Sequence, residues 1–320
     1  MPQTSIKLSI VGAGFVGATI AYSLVMRGDV SDIVLVDVDH ARAEGEAMDI
    51  SHGAPFAKVS AIHAGDYPDT TGSDLVIITA GTNQRPGESR LDLLARNATI
   101  VRDAARLAAR YSPHAIQLIV ANPVDVMSYV AQRATGLPPA HVIGSGTVLD
   151  SSRFRYLLAQ ELGGLDPRNI HGHILGEHGD SEFPAWSLVN IAGMGLTEAA
   201  RVLGVPLDAA ARDRVTQRTR DAAYEIISRK HATYYGIGMI TRRIIEAIVR
   251  DERAIMPVSI LLSGQYGIDD VYLSLPAILG EHGVEKILAP GLAAEEVTLL
   301  HRSADMLHEA QESVRAIIED

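Results

Sequence analysis

No cysteine occurs in the 320 residues, so disulfides and thiolate chemistry are excluded, and a reducing compartment is compatible. Apolar runs of the ~18–20 residues that a membrane span needs are also missing. The opening residues, Met1 to Lys7, hold no signal-peptide hydrophobic region. Positive charge is in deficit: 28 Lys and Arg against 39 Asp and Glu leave a formal net charge of −11. That balance argues against nonspecific nucleic-acid binding and against an anionic membrane surface. Aromatics are scarce at 5%, but 47% apolar and 21% charged residues are ordinary for a soluble globular chain. The length suits one large or two medium domains with ample core. The expectation is a soluble, cytoplasmic protein with no nucleic-acid or membrane partner. Neither a supersecondary repeat nor a low-complexity segment interrupts the chain.

What is present centres on Ile174-Leu175-Gly176-Glu177-His178-Gly179-Asp180-Ser181. A buried strand is expected to run in from Asn169 and to break at Gly176 and Gly179, leaving His178 on an exposed turn. A lone histidine is more often structural than catalytic. Two neighbours weigh the other way. Upstream, Asp150-Ser151-Ser152-Arg153 supplies a carboxylate to orient an imidazole and a guanidinium to hold an anionic substrate. A nucleotide-binding signature opens the chain. Base, carboxylate partner and cofactor site together are what proton-coupled hydride transfer needs. Ile278-Leu279-Gly280-Glu281-His282-Gly283 repeats the same residue types but continues with Val284. His178 is preferred over His282 because Asp150 and Arg153 lie close upstream of it.

Leu8 to Val11 reads as a buried strand that enters Gly12-Ala13-Gly14-Phe15-Val16-Gly17 and then an apolar helix ending near Gly28. The next strand, Ile33 to Val36, ends in Asp37, about 20 residues past Gly17, where an acidic residue meets the adenosine ribose. Gly12 permits the tight turn, Gly14 lets the backbone approach a pyrophosphate, and Gly17 lets the helix pack on the sheet. The helix N-terminus favours the diphosphate charge. Asp37 would repel a 2′-phosphate, so NAD is expected rather than NADP.

Asp74 to Thr79 is a strongly apolar strand ending at Ala80-Gly81, at the expected topological switch point. The polar run from Thr82 to Arg90 reads as a mobile loop over the site. Helix Leu91 to Arg110, strand Ile116 to Val120, Asn122-Pro123, helix Val124 to Ala134 and strand His141 to Ser145 follow. Asn122 is either a turn former or a donor to a bound carbonyl. The fold class is therefore α/β: a Rossmann-type doubly wound parallel sheet in 1–145, then an α+β substrate and oligomerisation domain in 146–320. In that second part, Asp150 to Leu162 and Leu207 to Ser228 read as helices and Trp186 as packing. An antiparallel sheet is expected from Ala254–Leu262 and Val271–Pro276. Ala293 to Ile318 reads as one amphipathic helix with Leu299, Leu300, Leu307, Val314 and Ile317 on its apolar stripe.

Six motifs stand in order: VGAGFVG at 11–17, AGTNQRPGESR at 80–90, ANPVD at 121–125, SGTVLDSSRFR at 145–155, GEHGDSEFPAWS at 176–187 and ATYYGIG at 232–238. Together they resemble the L-lactate/malate dehydrogenase superfamily, specifically the tetrameric bacterial L-lactate dehydrogenases, over essentially the whole chain. The resemblance implies that His178 is the acid/base for interconversion of pyruvate with NADH and (S)-lactate with NAD, and that Asp150 is its partner. It implies that Arg153 binds the substrate carboxylate and that Arg90 on the loop polarises the carbonyl with help from Asn122. Thr233 and Ile237 would line the substrate and nicotinamide pocket. Gly12, Gly14, Phe15, Val16, Gly17, Asp37, Arg42, Tyr67, Gly81, Thr82, Val120, Asn122, Ser145 and Ile237 would form the cofactor site. Gln84 stands where malate-specific relatives carry arginine, which favours pyruvate over oxaloacetate. Arg155 and His171 match residues that bind fructose 1,6-bisphosphate between two subunits of a homotetramer in the resembling enzymes. The two arginines, Arg153 and Arg155, point roughly 200° apart on a helix, so Arg155 is expected to face away from the substrate.

Malate dehydrogenase or another L-2-hydroxyacid dehydrogenase is the alternative within this class. A non-catalytic NAD-binding protein would have no reason to keep His178, Asp150, Arg153 and Arg90 together. No metal is expected: His171 and His173 near His178 mimic a cluster, but cysteine and an HExxH pattern are absent.

Overall fold

The computed structural model describes residues 6–57, 61–82, 87 and 89–319, without the Arg90 side chain. In the first half β1 (Lys7–Val11), α1 (Phe15–Arg27), β2 (Asp32–Val36), α2 (His40–Gly53), β3 (Ala61–Ala64) and β4 (Leu75–Ile78) come in turn. Then follow α3 (Arg90–Tyr111), β5 (Ile116–Ile119), α4 (Val124–Thr135) and β6 (Val142–Gly144). Strands β2 and β4 to β6 are almost wholly buried and read as continuous apolar runs, as central parallel strands do. Parallel pairing runs β3-β2-β1-β4-β5-β6. The order reverses between β1 and β4, so the crevice at their carboxyl ends is the switch point.

The second half begins with α5 (Val148–Glu161), β7 (Ile170–His171), β8 (Ile174–Leu175), β9 (Phe183–Pro184), β10 (Asn190–Ile191) and β11 (Met194–Gly195). It continues with α6 (Leu196–Leu203), α7 (Ala209–Lys230), α8 (Tyr235–Val249), β12 (Ala254–Ser263), β13 (Asp269–Gly280), β14 (Gly283–Ile287), α9 (Ala294–Ser313) and α10 (Arg315–Glu319).

Three features depart from the sequence expectation. The sheet does not end at β6: β12 pairs with it in antiparallel sense at Ser259 and Gly144, and β13 and β14 extend the sheet to nine strands. Sequence periodicity reports which face of a strand is buried but not which edge it joins. The strand before His178 is two short pieces, β7 and β8, separated at Gly172 and His173. They belong to different sheets: β7 pairs with β10, and β8 with β9. The C-terminal helix breaks at Val314, and Leu299 on its expected apolar stripe is 38% exposed.

One large core runs from the parallel sheet through β12 and β13 to Leu300 and Leu307. A second, around Phe154, Leu158, Ile170, Ile174, Leu196 and Val215, sits under α5. It fixes the helix that carries Asp150 and Arg153.

Candidate functional site

The glycine loop after β1 is set by close approach. Gly12 has φ +108°, and a Cβ there would lie 2.6 Å from Thr79 Oγ1. At Gly17 a Cβ would fall 1.9 Å from the Gly12 carbonyl oxygen, so only glycine lets α1 start against this turn. The Gly14 backbone borders open space: a Cβ there would meet nothing within 4 Å. Gly14 caps α1 and gives no side-chain acceptor to the first-turn amides, and that turn holds no acidic residue. These amides suit a diphosphate. Asp37 is held at the end of β2 by Ala13 N–H (2.6 Å) and Asp39 N–H (2.9 Å). Beside it Arg42 lies over the Phe15 ring at 5.6 Å. Tyr67 is half-buried, and its hydroxyl is pushed up to about 12 by burial, then by Asp103 and Asp37. Thr82 N–H donates to Asn97 at 2.9 Å, which anchors the chain just past Gly81. Val120 and Ser145 are buried at the ends of β5 and β6, while Asn122 is exposed and its carbonyl accepts from Asn97 at 3.1 Å.

Thr233, just before α8, and Ile237 on it lie in a segment that packs against α1. A Cβ at Gly238 would stand 2.5 Å from Thr19 Cγ2, so glycine permits that approach. Arg27 and Glu246 pair across the same helices at 3.0 Å. Phe15 stacks on Tyr234, next to Thr233, at 5.2 Å.

Beside the crevice, β8 is fastened to α5. Thr147 Oγ1 donates to the Ile174 carbonyl, and Ile174 N–H donates to Ser151 Oγ at 2.8 Å. The β8–β9 loop then brings His178 Nδ1 to 2.6 Å from Asp150 Oδ2. The other Asp150 oxygen accepts from Arg153 Nη1 at 2.7 Å. Asp150 is 2% exposed and the His178 side chain 26%, so His178 is largely enclosed rather than on the exposed turn expected from sequence. His282 is a different object: 81% exposed on the β13–β14 turn, 3.7 Å from Glu281.

Comparison with known proteins adds an independent line. Residues 6–144 match the family model for the lactate/malate dehydrogenase NAD binding domain, and residues 147–318 match the alpha/beta C-terminal domain of the same family. The chain belongs to the lactate/malate dehydrogenase family. It is an NAD-dependent oxidoreductase. The chain is 50% identical over 301 residues to an L-lactate dehydrogenase of Thermoanaerobacter sp. (strain X514), covering 94% of this chain and 96% of that protein. L-lactate dehydrogenase 1 of Clostridium acetobutylicum is 48% identical over 308 residues, covering 96% and 98%. Among solved structures, a lactate dehydrogenase from a Medee basin deep-sea metagenome library superposes with a TM-score of 0.94 at 43% identity, covering 97% of this chain and 99% of that one. The minor L-lactate dehydrogenase of Enterococcus mundtii gives 0.92 at 40%, with the same coverage.

The electrostatics of this dehydrogenase concentrate on His178. Burial works against its charge, but Asp150 above all, then Glu182 and Asp125, outweigh burial and push it up to about 9. Burial likewise opposes the charge on Asp150, yet His178 and Arg153 hold its carboxyl below the usual range. Two buried carboxyls have no counterpart among the residues singled out from sequence. Asp125, in the ANPVD motif, accepts from His178 N–H (2.7 Å) and Ser259 Oγ (2.6 Å) and so clamps the histidine backbone. Burial pushes it up to about 6. Glu182 is 4% exposed and is pushed up to about 8 by burial and then Asp150, against His178, Arg153 and Arg220. Both stand inside motifs quoted above, ANPVD and GEHGDSEFPAWS, but the motifs alone assign them no role; their buried place beside His178 does.

Ligand atoms of Asp150, His178 and Glu182 lie within 4.8 Å of one another, close enough for a cation. Among the described hydrogen bonds, His178 Nδ1 is engaged by one Asp150 oxygen and Arg153 by the other. Gln84 lies outside the described residues, as does the side chain of Arg90. Arg155 Nε donates to the Gly172 carbonyl at 2.9 Å. Burial lowers its proton affinity. His171 is exposed beside it, and His173 is held down to about 4 by burial, then by Arg155 and His171.

Proposed function

We propose that this chain interconverts pyruvate and (S)-lactate, with His178 as the acid/base. The observation that carries this reading is the Asp150-bound imidazole beside Arg153. With Nδ1 tied to Asp150, Nε2 is the free donor, and a guanidinium one helical turn from Asp150 suits a carboxylate. When bound, NADH supplies the hydride to C2 of the keto acid. His178 gives its proton to the carbonyl oxygen as charge develops there, and Asp150 keeps the ring oriented and stabilises the imidazolium. Arg153 orients the substrate carboxylate, with Asn122 and Thr233 at the pocket wall. Arg90 and Gln84 act from the loop: the first polarises the carbonyl, and the second leaves the methyl side of pyruvate without a charge.

The cofactor reading, NAD, rests on Asp37 and on the open backbone at Gly14, with Phe15, Val16, Arg42, Tyr67, Gly81, Thr82, Val120, Ser145 and Ile237 around them. The functional division is 1–145 for cofactor and 146–320 for substrate and assembly. Arg155 and His171 form a cationic site for fructose 1,6-bisphosphate at a subunit boundary of a homotetramer. Supporting assembly, Tyr22, Met26, Met48, Tyr235 and Met239 stand more than half exposed on α1 and on α2 and α8, both of which pack on α1. The protein acts in the cytoplasm; among the described residues no helix is long and apolar enough to cross a membrane.

NADH oxidation with pyruvate, oxaloacetate and a branched keto acid tests this reading. The highest kcat/KM is expected with pyruvate, and Gln84→Arg should move preference toward oxaloacetate. A wild-type preference for oxaloacetate would sink it.

A further inference from the structure

The buried carboxyl of Glu182 has no role in the scheme above, although it stands inside its proton relay. The β8–β9 loop carries both His178 and Glu182, and pairing of Leu175 with Phe183 closes that loop over α5. Ligand atoms of Asp150, His178 and Glu182 fall within 4.8 Å of one another. Glu182 is 4% exposed, so water does not screen it. The position is held from behind: Arg220 on α7 donates to the Glu182 carbonyl oxygen at 2.6 Å. The charged groups around Glu182 are Asp150 and Arg153 from α5, His178 from its own loop, and Arg220 from α7. Asp125 from α4 also acts on His178, through its charge and by accepting its backbone N–H.

Two carboxylates this close to one imidazolium cannot both be anions without a large repulsion. Asp150 takes the charge because it has two hydrogen-bonded partners, His178 and Arg153. The Glu182 carboxyl has charged neighbours, and among the described residues no hydrogen bond like those on Asp150 reaches it. We propose that Glu182 is a positioning residue for the proton on His178. Neutral, it leaves Asp150 as the single anion on the ring; ionised in alkaline solution, it holds the imidazolium charged and extends pyruvate reduction to higher pH.

The chemistry is proton exchange alone. At neutral pH the imidazolium gives its Nε2 proton to the developing alkoxide, and solvent reprotonates it. As pH rises, Glu182 loses its proton first, and the new negative charge raises the affinity of His178 for its own. The anion thus delays the loss of the acid form.

This inference rests on His178 being the acid, so the test separates the two. In His178→Ala, turnover with pyruvate is expected to be lost while NADH binding remains; retained turnover overturns the acid assignment itself. In Glu182→Gln, the pH profile of kcat/KM for pyruvate is expected to lose its alkaline shoulder. Activity at alkaline pH relative to neutral pH should fall at least about tenfold further than in the wild type, the effect of a one-unit shift. Glu182→Asp, which restores an ionisable group, should recover part of that loss. A profile of unchanged shape, or a loss uniform in pH, overturns the proposal, because a purely structural role would act at every pH. Should Glu182→Gln fail to fold, infrared spectra of the wild-type protein with 13C-labelled glutamate carboxyls give the second readout. A protonated glutamic acid band at neutral pH that vanishes on going alkaline supports the proposal, and absence of such a band overturns it.

Discussion

His178 owes its proton affinity to neighbours rather than to its own exposure. An imidazole with 26% of its side chain accessible and one carboxylate at 2.6 Å stays charged well above neutrality. The sign for catalysis follows. In the proposed scheme pyruvate reduction consumes the imidazolium, so it should be full at neutral pH and fall as pH rises through about 9, the pKa to which His178 is raised. Lactate oxidation needs the neutral ring and should rise over the same interval. Initial rates in both directions across pH check this; profiles moving together would contradict it. Removing the acid in His178→Ala should cost pyruvate turnover about a hundredfold to ten-thousandfold, the usual share of a general acid. His282→Ala, on an exposed turn, should change neither kcat nor stability measurably. Comparable losses at both histidines would undo the choice between the two GEHG copies.

Among the elements, α5 and α8 do the positioning. The hydrogen bonds from Thr147 and with Ser151 tie β8 to α5, so the strand leading to the histidine is fastened to the helix that carries its carboxylate. Helix α8 packs on α1 with a close approach of Gly238 to Thr19, and Phe15 at the start of α1 stacks on Tyr234. Gly238→Val would place a branched Cβ at 2.5 Å from Thr19 Cγ2 and push the helices apart. Overpacking of this kind costs about 1–3 kcal/mol. The substitution should lower the thermal midpoint and weaken NADH binding together, measured by calorimetry and fluorescence titration. Stability lost with unchanged NADH affinity would mean that α8 does not form the nicotinamide wall.

For the whole molecule, the bisphosphate regulation proposed above turns on what Arg155 and His171 would meet across a subunit boundary. Arg155 is partly buried, and together with His171 it adds to the burial that holds His173 far below an ordinary histidine. Like charges gathered at an interface repel, and a bisphosphate would neutralise them and favour the packed assembly. Fructose 1,6-bisphosphate should therefore lower the apparent KM for pyruvate in dilute enzyme and raise the share of tetramer in sedimentation. Superimposable saturation curves with and without it would refute activation. An unaltered response in Arg155→Gln would place the effector elsewhere.

Local pattern carried a good deal by itself. Strand, glycine turn, helix and Asp37 follow one another along the chain, because turn geometry and burial periodicity act over a few residues. Asp150 and Arg153 are three residues apart, so their shared helix was readable as well. The path of β12 to β14 was not: antiparallel pairing of Ser259 with Gly144 joins residues more than a hundred positions apart, and periodicity is blind to which edge a strand chooses. Local sequence barely separated the two GEHG copies, and only the nearby Asp150 and Arg153 tipped the choice to His178. What distinguishes them is that one loop is closed over the buried Asp150 and the other stands in water. The same reason hid Asp125 and Glu182. A carboxyl acquires its role from desolvation and from the charges that face it, and those come from α4, α5, α7 and the β8–β9 loop at once. Only tertiary packing assembles them.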